Sequence, residues 1–238
     1  MTIVLVTGSS GGLGLGAARE LAVQGHHVVV HARTPARVPE APAGHPWQGV
    51  VLGDLADRAQ TIDVAAQAAA HGRFDAVIHN AGVVSGRELL SVNVLAPYIL
   101  TANMDTPGRL IYLSSGMHRG GSTDLRRLTR GTATYSDTKL WVTALAMAVA
   151  TRWPQTTSHA VDPGWVPTRM GGRGAPDDLN AGHQTQVWLA TNWDVTPVTA
   201  GYWHHQHTQR PHTAALNEQF QNDLLDALAL ETRIQLGP

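Results

Sequence analysis

Tyr135 and Lys139 stand four residues apart in the stretch TYSDTK, among small polar residues. On a helix that spacing sets both side chains on one face, within reach of one ligand. A free phenol has a pKa of about 10, so at neutral pH only about one part in a thousand is phenolate. An ammonium about 4 Å away, at an effective dielectric near 20, is worth about 4 kcal/mol, enough to lower that pKa by up to about 3 units. The pair is thereby expected to exchange a proton with a carbonyl or an alcohol near physiological pH. Ordinary surface pairs share the spacing, so the elements that position these two residues decide their chemistry.

Those elements alternate along the chain. Short apolar, β-branched runs at 2–6, 27–31, 49–52, 74–79, 109–113, 157–161 and 200–204 read as strands. Between them, 15–24, 55–70, 88–103, 134–153 and 184–190 read as helices, and 214–233 as a last one. Buried strands joined by crossover helices form a parallel sheet covered on both faces. The expectation is an α/β, doubly wound parallel sheet of about seven strands. No linker, repeat or low-complexity stretch divides the chain, so residues 1–238 are expected to form a single domain.

The first strand runs into TGSSGGLGLG. Glycines between a strand and a helix permit a tight turn and let the main chain approach a pyrophosphate held at the helix N-terminus. A P-loop is excluded, because no Gly-Lys-Ser/Thr follows. Gly12-x-Gly14-x-x-Ala17 fits the dinucleotide fingerprint formally but begins several residues past the strand; Thr7-Gly8-x-x-x-Gly12-x-Gly14 describes the loop better. The second strand ends VVVHART, with no carboxylate to grip a ribose 2′-hydroxyl. Arg33 stands there instead, and its guanidinium suits a 2′-phosphate. The expected cofactor is therefore NADP(H) rather than NAD(H).

Taken in order, these motifs and those that follow resemble the classical short-chain dehydrogenase/reductase family over about residues 1–170. Asp54-Leu55 follows the third strand, where the family contacts adenine. Asn80-Ala81-Gly82 follows the fourth. Asn93 resembles the family's helix asparagine, Ser114-Ser115 ends the fifth strand, and Tyr135-x-x-x-Lys139 comes next. DPGWVPT looks like the Pro-Gly loop that closes over the nicotinamide. The resemblance implies a Rossmann sheet in strand order 3-2-1-4-5-6-7, a single NAD(P)-binding domain over residues 1–238, and cofactor binding by Gly8, Ser10, Gly12, Leu13, Gly14, Arg33, Asp54, Leu55, Asn80, Ala81, Gly82, Tyr135, Lys139, Pro163, Gly164, Val166 and Thr168. It implies catalysis by Asn93, Ser115, Tyr135 and Lys139 in the interconversion of a small-molecule carbonyl and alcohol. Tyr135 would be acid in reduction and base in oxidation, and Lys139 would lower its pKa and hold the ribose. Ser115 would donate to the substrate oxygen, and Asn93 would hold a relay water. Ser122, 13 residues before Tyr135, matches the serine spacing of shorter members, but Ser115 matches the strand-end position.

Two departures flank the substrate side. Asn80 and Asn93 are 13 residues apart, about half the family's usual spacing, while Ser115 and Tyr135 are 20 apart. The 164–182 segment, rich in glycine, suits a lid. Members usually form homodimers or homotetramers through the helix bearing the tyrosine; the run 140–150 suits such an interface and a buried helix equally. The alternatives are a non-catalytic NADP(H)-binding regulator with the same fold, and an epimerase or dehydratase of the extended branch, whose chains are usually longer.

Composition excludes other classes. A net charge of −1 argues against nucleic acid or an anionic membrane as partner. The chain has no cysteine, which removes disulfides and thiolate metal sites. No run approaches the ~20 apolar residues of a membrane span, and the N-terminus lacks the features of a signal peptide. A soluble, cytoplasmic protein is expected. HHQH at 204–207 lacks a partner at metal-motif spacing, so no metal is expected; strand alternation would set His205 and His207 on one face. DLRRLTR reads as a solvated basic face.

Overall fold

The computed structural model describes residues 1–237. Seven strands run parallel: β1 (Ile3–Val6), β2 (His27–Ala32), β3 (Gly49–Leu52), β4 (Ala76–His79), β5 (Arg109–Leu113), β6 (Thr157–Asp162) and β7 (Gly201–His204). An eighth, β8 (His207–Gln209), pairs antiparallel with β7, giving the order 3-2-1-4-5-6-7-8. The doubly wound sheet is as expected, with β8 added. HHQH is therefore not one alternating strand. His205 and Gln206 turn the chain at φ +46° and +63°, the left-handed pair that a two-residue hairpin requires.

Alternation within each strand splits the interior in two. Leu5, Val77, Leu110 and Tyr112 face one core, shared with helices α2 (Arg58–Ala69), α3 (Ala96–Asn103), α5 (Tyr135–Arg152) and α7 (Glu218–Thr232). Val4, Val6, Ala76, Ile78 and Ile111 face the other, beneath α1 (Gly12–Val23) and α6 (Leu179–Thr191). Both faces being covered explains why the strands read as unbroken apolar runs. Helix α5 is buried from Asp137 to Ala150 within this chain, so the 140–150 run is a core helix here. Among the described residues no helix is long and apolar enough to cross a membrane.

Caps set the helix starts. Asp57 accepts from the Gln60 main-chain N–H (2.9 Å), so α2 begins at Arg58 rather than at 55. Asp178 accepts from Ala181 (2.8 Å) and starts α6 at Leu179, five residues before the expected 184. Asn217 accepts from Phe220 (2.8 Å) and moves the start of α7 from 214 to Glu218. Helix α5 opens on a capping box in which the Thr134 hydroxyl accepts from Asp137 N–H (3.2 Å) and the Asp137 carboxylate from Thr134 N–H (2.8 Å). Asp137 also accepts from Ser122 N–H (2.7 Å) and from the Arg127 guanidinium (3.0 Å). Burial would raise its carboxyl, but these hydrogen bonds hold it below the usual value. Arg126, Thr129 and Arg130 are exposed, as a solvated face requires, while the partly exposed Arg127 also serves as a structural ion-pair partner in α4 (Arg126–Thr129).

Candidate active site

The strand order reverses between β1 and β4, and a crevice opens at their carboxyl ends, as it does in open α/β sheets. Its volume is about 780 Å³. Gly8, Ser10, Gly11, Gly12 and Leu13 form one wall. Gly8 and Gly12 hold φ of +64° and +55°, open to glycine without strain. A Cβ on Gly8 would stand 2.8 Å from Ala81 Cα, and one on Gly14 would collide with the Asn80 amide. The Asn80 side chain donates to the carbonyls of Thr7 (2.9 Å) and Gly8 (3.3 Å), tying the turn to β4. Helix α1 has Gly11 at its N-cap and so no side-chain cap, which leaves its first-turn N–H groups for a ligand. A cradle that any side chain would fill, facing uncapped amides, fits the pyrophosphate of a dinucleotide.

At the far end of that wall Arg33, Arg37, Asp54 and Leu55 line the cleft, with Arg33 3.5 Å from the Asp54 carboxylate. His31 lines it too. Its Nδ1 accepts from Gly8 N–H (3.0 Å) and its Nε2 lies 2.9 Å from the Gly53 carbonyl. Neither His31 nor Arg37 was singled out from the sequence; a histidine inside an apolar strand carries no motif.

Tyr135 and Lys139 face the same cleft from the first turns of α5, opposite Ala81 and Gly82. The Lys139 ammonium lies 5.5 Å from the Tyr135 ring centre and donates to the Leu113 carbonyl (2.7 Å). Burial pushes its pKa down to about 8, against the pull of the Asp162 carboxylate. The Tyr135 phenol departs from expectation. Its pKa is raised, chiefly by burial and further by Asp162; a hydrogen bond with Ser115 opposes the rise, and Lys139 does not reverse it. Desolvation is the largest effect on the phenol, and Lys139 is not among the groups that lower its pKa.

Ser115 lies beside that phenol, and its hydroxyl accepts from Met117 N–H (3.2 Å). Ser114 also lines the cleft, but its Oγ is engaged with Thr143 Oγ1 at 2.6 Å. Ser122 builds the loop ahead of α5: its hydroxyl accepts from Asp124 N–H (3.1 Å) and its carbonyl from the Trp141 indole (2.9 Å). His118 donates through Nδ1 to the Ser115 carbonyl (2.8 Å), while its Nε2 accepts from His212 N–H (3.0 Å). Asn93 sits in a widened, π-helical turn (Ser91–Leu95). Its amide donates to Val83 O (2.9 Å) and Thr138 Oγ1 (3.1 Å), and its Oδ1 accepts from Val83 N–H (2.8 Å). With both amide hydrogens engaged, this side chain has only the second lone pair of Oδ1 for a water.

Pro163 and Thr168 line the cleft from the loop after β6, together with Arg169 and Met170. Gly164 (φ +81°) makes the turn, and Val166 is buried against Gly182 rather than in the cleft wall. The segment is tied to itself: Trp165 N–H donates to Asp177 Oδ2 (2.6 Å), Asp177 N–H to Trp165 O (3.1 Å), and the Trp165 indole to Gly171 O (2.9 Å). Among the described residues no three His, Asp or Glu side chains converge where a metal ion could sit.

Comparison with known proteins agrees with this arrangement. The family model described as short chain dehydrogenase matches residues 2–178. The short-chain dehydrogenase chyC of Penicillium rubens is 41% identical over 209 residues, covering 80% of this chain and 81% of its own. Among solved structures, a Mycobacterium paratuberculosis protein superposes with a TM-score of 0.84 at 20% identity, covering 100% of this chain and 96% of that one. A Shigella flexneri protein described as a short chain dehydrogenase and solved with NADP gives 0.71 at 20% identity, covering 87% and 97%. At such identities the two structures speak for the fold.

Proposed function

The chain belongs to the short-chain dehydrogenase family, and on that premise we propose that it is an NADP(H)-dependent oxidoreductase reducing a carbonyl to an alcohol with Tyr135 as proton donor. The observation that carries this is the placing of Tyr135 and Lys139 in one cleft with the glycine cradle, and of Ser115 against the phenol. The bound nicotinamide would supply the hydride. At neutral pH the Tyr135 phenol stays protonated, since burial and Asp162 both favour that form; it can give its proton to a substrate oxygen as negative charge grows there. Ser115 can donate to the same oxygen, an interaction typically worth about 10²–10³ in turnover. Lys139 keeps two further N–H donors beside the one it gives to Leu113, so it can hold cofactor hydroxyls while its charge steadies a nascent phenolate.

Arg33 and Arg37 support NADP(H): both line the adenosine end of the cleft, and no carboxylate ends β2. Hydrogen bonds to a charged group are worth about 1.5–3 kcal/mol. Arg33→Asp is therefore expected to lower the ratio of kcat/KM for NADPH over NADH by about 10–100-fold. A wild type that prefers NADH would overturn the assignment.

The mouth of the cleft supports an apolar substrate. Val84 after β4 (48% exposed), Met117 after β5 (56%), and Trp165 and Met170 after β6 (59% and 46%) are exposed on the three loops that rim the catalytic end. Large exposed apolar side chains grouped at a cleft mark a binding surface. NADPH oxidation across aldehydes, ketones and quinones of graded apolar bulk tests this reading. Turnover should rise with an apolar ring beside the carbonyl; turnover of none of them would sink the oxidoreductase reading.

A further inference from the structure

We propose that His31 is a positioning residue of the cofactor cleft, its neutral imidazole clamping the glycine turn to the end of β3. The inference rests on the cofactor reading above. β2 lies between β1 and β3, so a side chain near its carboxyl end can reach both neighbouring loops. His31 does so. Its Nδ1 meets Gly8 N–H at 3.0 Å and its Nε2 meets Gly53 O at 2.9 Å. A main-chain N–H can only donate and a carbonyl can only accept. The two partners therefore fix one tautomer, with the proton on Nε2 and a free lone pair on Nδ1. The imidazolium would set Nδ1–H against Gly8 N–H, and the turn would have to move.

Gly8 has little room to move. Ala81 backs it at 2.8 Å from a built Cβ, and Asn80 holds its carbonyl. The turn that carries the cradle is thus held by its N–H from β2 and by its C=O from β4. Burial favours the neutral ring; the bond to Gly53 and the Asp54 carboxylate beyond β3 pull the other way, and Arg33, just past the end of β2, again favours the neutral form. The Ser9 hydroxyl accepts from the His31 main-chain N–H (2.9 Å), fixing the strand beside the turn. His31 touches no reacting atom; it sets where the cradle's amides point.

The test compares His31→Leu, which can make neither bond, with His31→Gln, which can accept from Gly8 and donate to Gly53. Dissociation constants for NADPH come from the quenching of tryptophan fluorescence or from calorimetry, apart from any turnover. His31→Leu is expected to raise Kd by roughly tenfold or more and to raise the cofactor KM more than it lowers kcat. His31→Gln should recover most of the affinity. A Kd for His31→Leu within about twofold of wild type, or a Gln variant as weak as Leu, overturns the proposal. Should His31→Leu not fold, the ¹⁵N imidazole spectrum of the wild type decides: an Nδ1–H tautomer or an imidazolium at pH 7 overturns it. A wild type that binds neither NADPH nor NADH would instead sink the cofactor reading itself.

Discussion

Tyr135→Phe is expected to lower turnover by about 10²–10⁴-fold, the usual worth of a placed acid or base, while leaving the fold and NADPH binding in place. The ring stays in the first turn of α5, whose capping box runs through Thr134 and Asp137 and does not involve the phenol oxygen. What disappears is one hydroxyl, near Ser115. Steady-state kinetics beside a direct cofactor titration separate the two effects. A chain that only bound NADP(H) as a regulator would keep its effect on a partner without the phenol, so a Phe variant with full biological effect and no wild-type turnover to lose would favour that alternative. The pH profile adds a sign. Tyr135 holds its proton through neutral pH, but Lys139 gives up its charge near pH 8. Reduction should therefore be flat below pH 8 and decline above it, with the limb set by the amine rather than by the phenol.

Much of this was legible in the sequence because the signals were repeated and ordered. Strands buried on both faces announce themselves as apolar runs, and the glycines at 8 and 14 answer to close contacts with Ala81 and Asn80 that leave no room for a Cβ, while Gly8 and Gly12 also take up positive φ. Helix starts were misplaced where the hydrophobic pattern was followed and the caps were not: Asp57, Asp178 and Asn217 each hold the helix to a later or earlier first residue than periodicity suggests. Thr-x-x-Asp within TYSDTK is a capping box, and the buried Asp137, bonded to Ser122 N–H and Arg127, ties the loop before α5 to that helix. His31 and Arg37 were illegible for a different reason. His31 acts on neighbours 22 and 23 residues away that strand pairing brings close, and Arg37 meets the cleft only once the chain after β2 has turned back to it; no local pattern encodes either. The sign of the Tyr135 shift was misjudged because Coulomb attraction can be read from spacing whereas desolvation needs the fold.

Lys139→Met should abolish most activity and yet make the protein more stable at neutral pH. The amine is 5% exposed, and burial holds its pKa near 8, well below the ordinary 10.5. Each pKa unit corresponds to about 1.4 kcal/mol, so the charged form costs about 3 kcal/mol in the folded chain wherever both states are protonated. Methionine fills a similar volume without charge. It leaves Leu113 O without its donor, which returns about 1 kcal/mol, and it takes a cation from the neighbourhood of Asp162. The net expectation is a gain of about 2 kcal/mol, or roughly 4–8 °C in Tm for a chain of this size. The sign then changes with pH in a way only this amine explains. Between pH 8 and 10.5 the unfolded chain holds the lysine proton and the folded chain does not, so wild-type stability from this group rises with pH across that window and the advantage of the variant shrinks. Denaturant titrations of both proteins at pH 7 and pH 10 measure it. A variant less stable than wild type by the same amount at both pH values would mean that the ammonium is not a strained group kept for chemistry but an ordinary packing element.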